Sequence, residues 1–179
     1  MKNFTLIKES KEWIEFNNYY MSYNIFDQLD FFRLEDIHTN ILKSIFIKDN
    51  PYNLGTFPLK KLLELLISKD NSKVKINIEE LNKYEIETIN IRTQAVLDKN
   101  SKPDLLIEFT INNKKYNIIL ENKLLSTEHD NQCQRYYNYY KEENNKDTNY
   151  IFVFLSLEKE PNFIEVDKYI CINYQELID

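Results

Sequence analysis

Two periodicities divide the chain. From residue 33 to residue 68 apolar side chains recur at helical spacing; from residue 86 onward they alternate or run unbroken, as strands do. The stretch RLEDIHTNILKSIFIK predicts a helix that turns Leu34, Ile37, Ile41, Leu42, Ile45 and Phe46 inward. DNPYNLGTFP ends it, and LKKLLELLIS predicts another helix, with Pro58 placed to start it. Ahead of these, KESKEWIEFNNYY predicts an amphipathic helix with Trp13, Phe16 and Tyr20 on one side.

Residues 86–97 alternate, with Ile89, Ile91, Thr93, Ala95 and Leu97 on one face and Thr88, Asn90, Arg92 and Gln94 on the other. After the turn DKNSK, PDLLIEFTI and KKYNIIL form two strands around Asn112 and Asn113. A helix over 128–143 follows, then the apolar strand YIFVFLSL, which a sheet covered on both sides would contain, and a short strand YICINY. Helices, a three-stranded meander, a helix and further strands make a mixed α/β sandwich.

Asparagine tolerates the left-handed geometry of a two-residue hairpin turn. With Asn112 and Asn113 in that turn, Ile111 faces Lys114 and Asp104 falls opposite Glu121. Leu105, Ile107, Phe109, Tyr116, Ile118 and Leu120 then form a wholly apolar face, while Asp104, Leu106, Glu108, Asn117, Ile119, Glu121 and Lys123 share the other. Directly opposed side chains have Cβ atoms about 4.5–5.5 Å apart, where like charges repel. Two carboxylates there call for a cation, and a hard divalent ion such as Mg²⁺, which takes oxygen ligands, supplies one. A solvated strand end with unrelated charges fits the same pattern, since a one-residue slip of the turn moves the pairing.

On the helix over 34–46, His38 lies near the centre of the apolar sector, and Glu35 lies inside its edge beside Leu42 and Phe46. Asp36, Asn40 and Lys43 point away. An inward acid is costly unless paired or metal-bound, although a rim salt bridge would also account for Glu35. A hydrogen-bonded core histidine is the first reading of His38, ahead of a metal ligand. Gln132, Tyr136 and Tyr140 recur every fourth residue as one stripe, which by itself is packing.

Composition narrows the classes. With 179 residues, 42% apolar and 29% charged, the chain has the make-up of one folded domain over 1–179. A net charge of −6 argues against indiscriminate coating of nucleic acid, which needs a basic surface, but leaves room for a local basic groove. Cys133 and Cys171 match no metal-ligand spacing. No signal peptide and no apolar run of membrane length is present, so a reduced, cytoplasmic protein is expected, without a membrane partner. The ending CINYQELID reads as a strand feeding a helix, as if the chain were the N-terminal part of a longer protein.

These residues carry a recognisable pattern. PD at 103–104 followed by ENK at 121–123 resembles the PD-(D/E)XK nuclease superfamily. QCQRY at 132–136 resembles the Q-x-x-x-Y helix of one branch, and EDIHTNIL at 35–42 the leading helix of a bacterial group within it. The resemblance covers about residues 30–157. It implies a restriction-endonuclease-like core, a central mixed β-sheet flanked by α-helices with extra N-terminal helices, and cleavage of nucleic acid, DNA ahead of RNA, in bacterial defence or repair. It assigns Asp104, Glu121 and Glu35 to a Mg²⁺ or Mn²⁺ ion, Lys123 to the attacking water, and Gln132 and Tyr136 to the substrate or to support of the site. His38 joins the substrate contacts of that pattern. Cys133 and Thr39 depart from it, standing where a bulkier apolar residue and often Ser are expected. Arg92 and Gln94, on the polar strand face, are candidate phosphate contacts, and a solvated strand face explains them equally. A homodimer would suit cutting of both strands. The competing expectation is a relative that kept the fold and binds nucleic acid or protein without cutting.

Overall fold

The computed structural model describes residues 10–11, 14–15, 35–97, 101–124, 131–143, 147–157 and 166–178. The expected helix around Trp13, Phe16 and Tyr20 lies outside the described residues, as do residues 98–100 of the DKNSK turn and 128–130 of the later helix.

Ahead of the sheet lie α1 (Glu35–Phe46), α2 (Phe57–Val74) and α3 (Ile78–Lys83). Helix α2 begins with Pro58 in its first turn, and Asp70 breaks its regular geometry while accepting a 3.1 Å bond from the Ser72 amide. Helix α3 was not expected from apolar spacing, because six residues are too few to show a period. Its signal is local: the Asn77 side chain accepts from the Glu80 amide at 2.7 Å, an N-cap.

The sheet runs β1 (Ile86–Thr93), β2 (Leu105–Ile111), β3 (Lys114–Lys123), β4 (Thr148–Ser156) and β5 (Ile170–Asn173), in that spatial order. The first three strands are antiparallel, while β3–β4 and β4–β5 are parallel, so the sheet is mixed. Helix α4 (Gln132–Glu143) links β3 to β4, and a short α5 (Tyr174–Ile178) follows β5. The expected hairpin register holds from Leu105–Leu120 to Ile111–Lys114, with φ of 50° at Asn112 and 60° at Asn113.

Helices lie on both faces. The larger core packs α1, α2 and α3 on the apolar hairpin face, Leu105, Ile107, Phe109, Tyr116, Ile118 and Leu120, together with Ile151, Val153 and Leu155 of β4. The smaller one packs Cys133, Tyr136 and Tyr140 of α4 on Leu106, Ile119, Phe152 and Phe154. β4 is therefore buried on both sides, which is why its sequence is unbrokenly apolar.

The alternation expected over 86–97 breaks at both ends. A register shift lies between Glu87 and Asn90, where Thr88 has a φ of 53°, so Ile86 and Ile91 reach the same core despite their opposite parity. Gln94 has a φ of 49°, and beyond it Ala95 and Leu97 join the α4 core rather than the face of Ile91. Helix α1 also differs from expectation. Its buried line is Thr39, Leu42 and Phe46; Ile41 is exposed, and His38 sits at the border rather than the centre.

Candidate active site

The geometry that gathers charge at one end of the hairpin is simple. β3 continues past its pairing with β2, so Glu121, Asn122 and Lys123 have a partner strand, β4, on one side only. Asp104 stands one step before the Leu105–Leu120 pair. Alternation sends Glu121 and Lys123 to the α4 face and Asn122 to the α1 face. All four are buried: Asp104 is 8% exposed, Glu121 1%, Asn122 0% and Lys123 7%.

Glu121 is the anomaly. Apart from the Lys123 ammonium, neither of its carboxylate oxygens has a polar partner among the described residues. The Lys123 ammonium lies 2.9 Å from Oε1 as an ion-pair partner. Burial, and then the charge of Asp104, push its pKa up to about 8 against the pull of Lys123. Asp104 is also raised, chiefly by burial, although the Asn122 amide and Lys123 favour its charged form. Burial opposes the Lys123 ammonium, yet Glu121, Asp104 and Glu35 outweigh it and raise its pKa. Lys123 is therefore a cation at every working pH, as the surrounding acids lead one to expect.

Neighbouring groups hold these side chains in place. Asp104 accepts from the Asn122 amide at 2.8 Å on Oδ2 and from Gln94 Nε2 at 2.9 Å on Oδ1. Glu35 belongs to α1 but reaches the end of β3: Oε1 accepts from the Leu124 amide at 3.2 Å, and Oε2 lies 3.4 Å from Lys123 Nζ. The Asn122 side chain donates to the Glu35 carbonyl at 3.3 Å and to Thr39 Oγ1 at 3.2 Å, and accepts from the Tyr174 hydroxyl at 2.6 Å.

Of the residues singled out from sequence, Asp104, Glu121, Lys123 and Glu35 come together. Tyr136 stands beside them; its hydroxyl donates to the Lys102 carbonyl at 3.0 Å, and burial, then Glu121 and Asp104, raise its pKa. Gln132 opens α4 with its Oε1 buried and unpartnered among the described residues. Gln94 holds Asp104 rather than standing on a solvated face. Arg92 does not join the group: its guanidinium pairs with Glu108 at 3.1 Å on the exposed side of the hairpin. His38 packs edge-on against Tyr174, with ring centroids 6.0 Å apart. The thiols are quiet, Cys133 being buried and Cys171 half-buried with its pKa raised by burial.

Asn122 was missed as a structural residue. Its signal was available: in a strand buried on both faces, the residue between Glu121 and Lys123 must point into the opposite core, and a polar side chain there needs partners.

The donor set suits a divalent cation in part. Two buried carboxylates share one region; a carboxylate has about four lone-pair sites, so Glu121 keeps capacity beyond its contact with Lys123 and Asp104 beyond its two bonds. Among the described residues no three His, Cys, Asp or Glu side chains form a metal-holding group. The third acid, Glu35, is turned to Lys123 and the Leu124 amide. No helix among the described residues is long and apolar enough to cross a membrane.

A family model described as the PD-(D/E)XK nuclease superfamily matches residues 23–179, beyond the motif-bearing stretch at both ends. No curated protein and no solved structure matches the chain.

Proposed function

The chain belongs to the PD-(D/E)XK nuclease superfamily, and from that premise we propose that it hydrolyses phosphodiester bonds of nucleic acid, DNA in preference to RNA, with Mg²⁺ or Mn²⁺ held by Asp104 and Glu121. The observation that carries the reading is Glu121: a buried carboxylate beside a second acid, met among the described residues by the Lys123 ammonium at Oε1 and by no donor at Oε2. Such a group is destabilising unless a cation or proton meets it.

A divalent ion there would polarise the phosphoryl oxygen and lower the pKa of a bound water. The chain's own residues do the rest. The Asn122 amide and Gln94 orient Asp104. Lys123, kept protonated by the acids around it, holds the attacking water or the scissile phosphate as a compact positive charge. Glu35 fixes Lys123 through Oε2 and takes an ion only if it leaves that contact. Gln132 and Tyr136 support the site from α4.

The test is conversion of supercoiled plasmid with Mg²⁺ by the parent and by Asp104→Ala and Lys123→Ala, with Mn²⁺ titrated calorimetrically. Cleavage that needs the ion and disappears in both variants is expected. Absence of both cleavage and Mn²⁺ binding removes the reading.

One observation favours a second reading, a fold relative that binds without cutting. The Lys123 ammonium already lies within ion-pair distance of both Glu35 and Glu121, where it neutralises acids that would otherwise call for a metal. On that reading Mn²⁺ releases no heat, while nucleic acid or a protein partner still binds.

A further inference from the structure

A cavity of about 340 Å³ lies at the far end of α4 from Gln132. Tyr150 in its wall pairs with Asn117, four residues before Glu121 on β3, which is about 13 Å along the strand. Its floor is aromatic. Tyr140 packs on Tyr150 with centroids 4.8 Å apart, and Tyr137 on Phe152 at 5.2 Å. Its rim is basic, with Lys73 and Lys75 from the end of α2, Lys141 from α4 and Lys168 from the short helix Val166–Lys168 before β5.

Four lysines from three segments converge here in a chain of net charge −6. Two are balanced: Lys73 by Asp70 at 3.3 Å and Lys168 by Asp167 at 2.6 Å. Lys75 and Lys141 make no ion pair with a described residue, and Lys141 stands 6.0 Å over the Tyr137 ring. Cations gathered on one rim repel one another unless an anion joins them. Aromatic faces beside a basic rim suit a planar ring that carries a phosphate. The volume falls in the range of small-ligand sites, at about 300–1,000 Å³. Thr148 and Tyr150 also wall a second cavity of about 350 Å³ toward the hairpin turn, so the surface continues past a single unit.

We propose that this cavity is a nucleotide site separate from the carboxylate cluster, taking one phosphate between Lys75 and Lys141 and the attached base against the tyrosines. It needs no cleavage and stands whether or not the acids hold a metal. The nucleotide is either free or one unit of a strand.

The test uses the full chain in EDTA, with thymidine monophosphate, inorganic phosphate and a labelled dT12 strand as probes. Lys75 and Lys141 are exposed and make no ion pair with a described residue, so Lys75→Glu/Lys141→Glu should melt with the parent. In that variant the affinity of whichever nucleotide probe binds should fall about tenfold or more, and for dT12 the slope of log K on log salt should shallow by about 0.7, the value for one lost phosphate contact. Monophosphate binding that competes with dT12 supports the site with a free nucleotide as ligand; dT12 binding alone, lost in the variant, supports it with a strand. Equal affinity for inorganic phosphate and the monophosphate, an unaffected variant, or no binding of either nucleotide probe overturns the proposal.

Discussion

The two faces of the β2–β3 hairpin share one backbone and one register, yet their outer ends differ completely. On the α1 side, Leu105, Ile107, Phe109, Tyr116, Ile118 and Leu120 are all buried in one apolar core. On the α4 side, Leu106 and Ile119 are equally buried, but the next positions outward are Asp104, Glu121 and Lys123. The first face is built for stability alone. The second holds three ionisable groups out of water, where a charged carboxylate opposes folding unless a cation meets it. The fold tolerates this because that end is anchored from behind: Asn122, between Glu121 and Lys123, ties β3 to α1 and Tyr174.

If the faces are divided in this way, substitutions on them should move activity and stability in different directions. The largest effect is expected for Glu121→Gln. Cleavage should fall by about 10²–10³-fold, the loss typical of one electrostatic stabiliser, while the metal-free protein melts at a higher temperature than the parent at pH 8. A lower melting temperature would mean that Glu121 supports the fold and would erase the distinction.

Next comes Ile118→Ala on the opposite face. It should cost about 2–5 kcal/mol of unfolding free energy, read from urea titration, with the specific activity of the folded fraction unchanged.

A pH series sharpens the same contrast. The folded pKa of Glu121, about 8, lies above its ordinary value of 4.5, so the folded state keeps a proton that the unfolded chain releases. The stabilisation is complete below about 4.5 and is lost as pH rises through about 8. The melting temperature in EDTA should therefore decline across that interval, and Glu121→Gln or added Mn²⁺ should flatten the decline. Asp104, also raised, acts with the same sign.

The smallest effect is expected at Arg92. Its pair with Glu108 is exposed, so Arg92→Ala should change stability by less than about 1 kcal/mol. A larger change would place the outer hairpin edge within the structural core.

Much of this was legible in the chain. A period of two and an Asn-Asn turn are local signals, so the strands, the hairpin register and the juxtaposition of Asp104 with Glu121 follow from short-range geometry. The parallel placement of β4 agrees with its unbroken apolar run. The left-handed residues Thr88 and Gln94 were not legible, because neither is a glycine or asparagine that would announce such a conformation. Gln94 consequently carries a meaning that alternation misassigned: it turns the chain and puts its amide on Asp104.

Sequence alone therefore determined the periodic elements, the pairing of β2 with β3 and the family to which the motifs belong, since these depend on residues near one another or on the strict alternation of a strand. Only the tertiary structure decided which acids are satisfied, that Glu35 reaches across a strand end to Lys123, that His38 leans on Tyr174, and that four scattered lysines share one rim. Burial and partner choice are set by packing between elements far apart in the chain, and no local pattern encodes the distances between them.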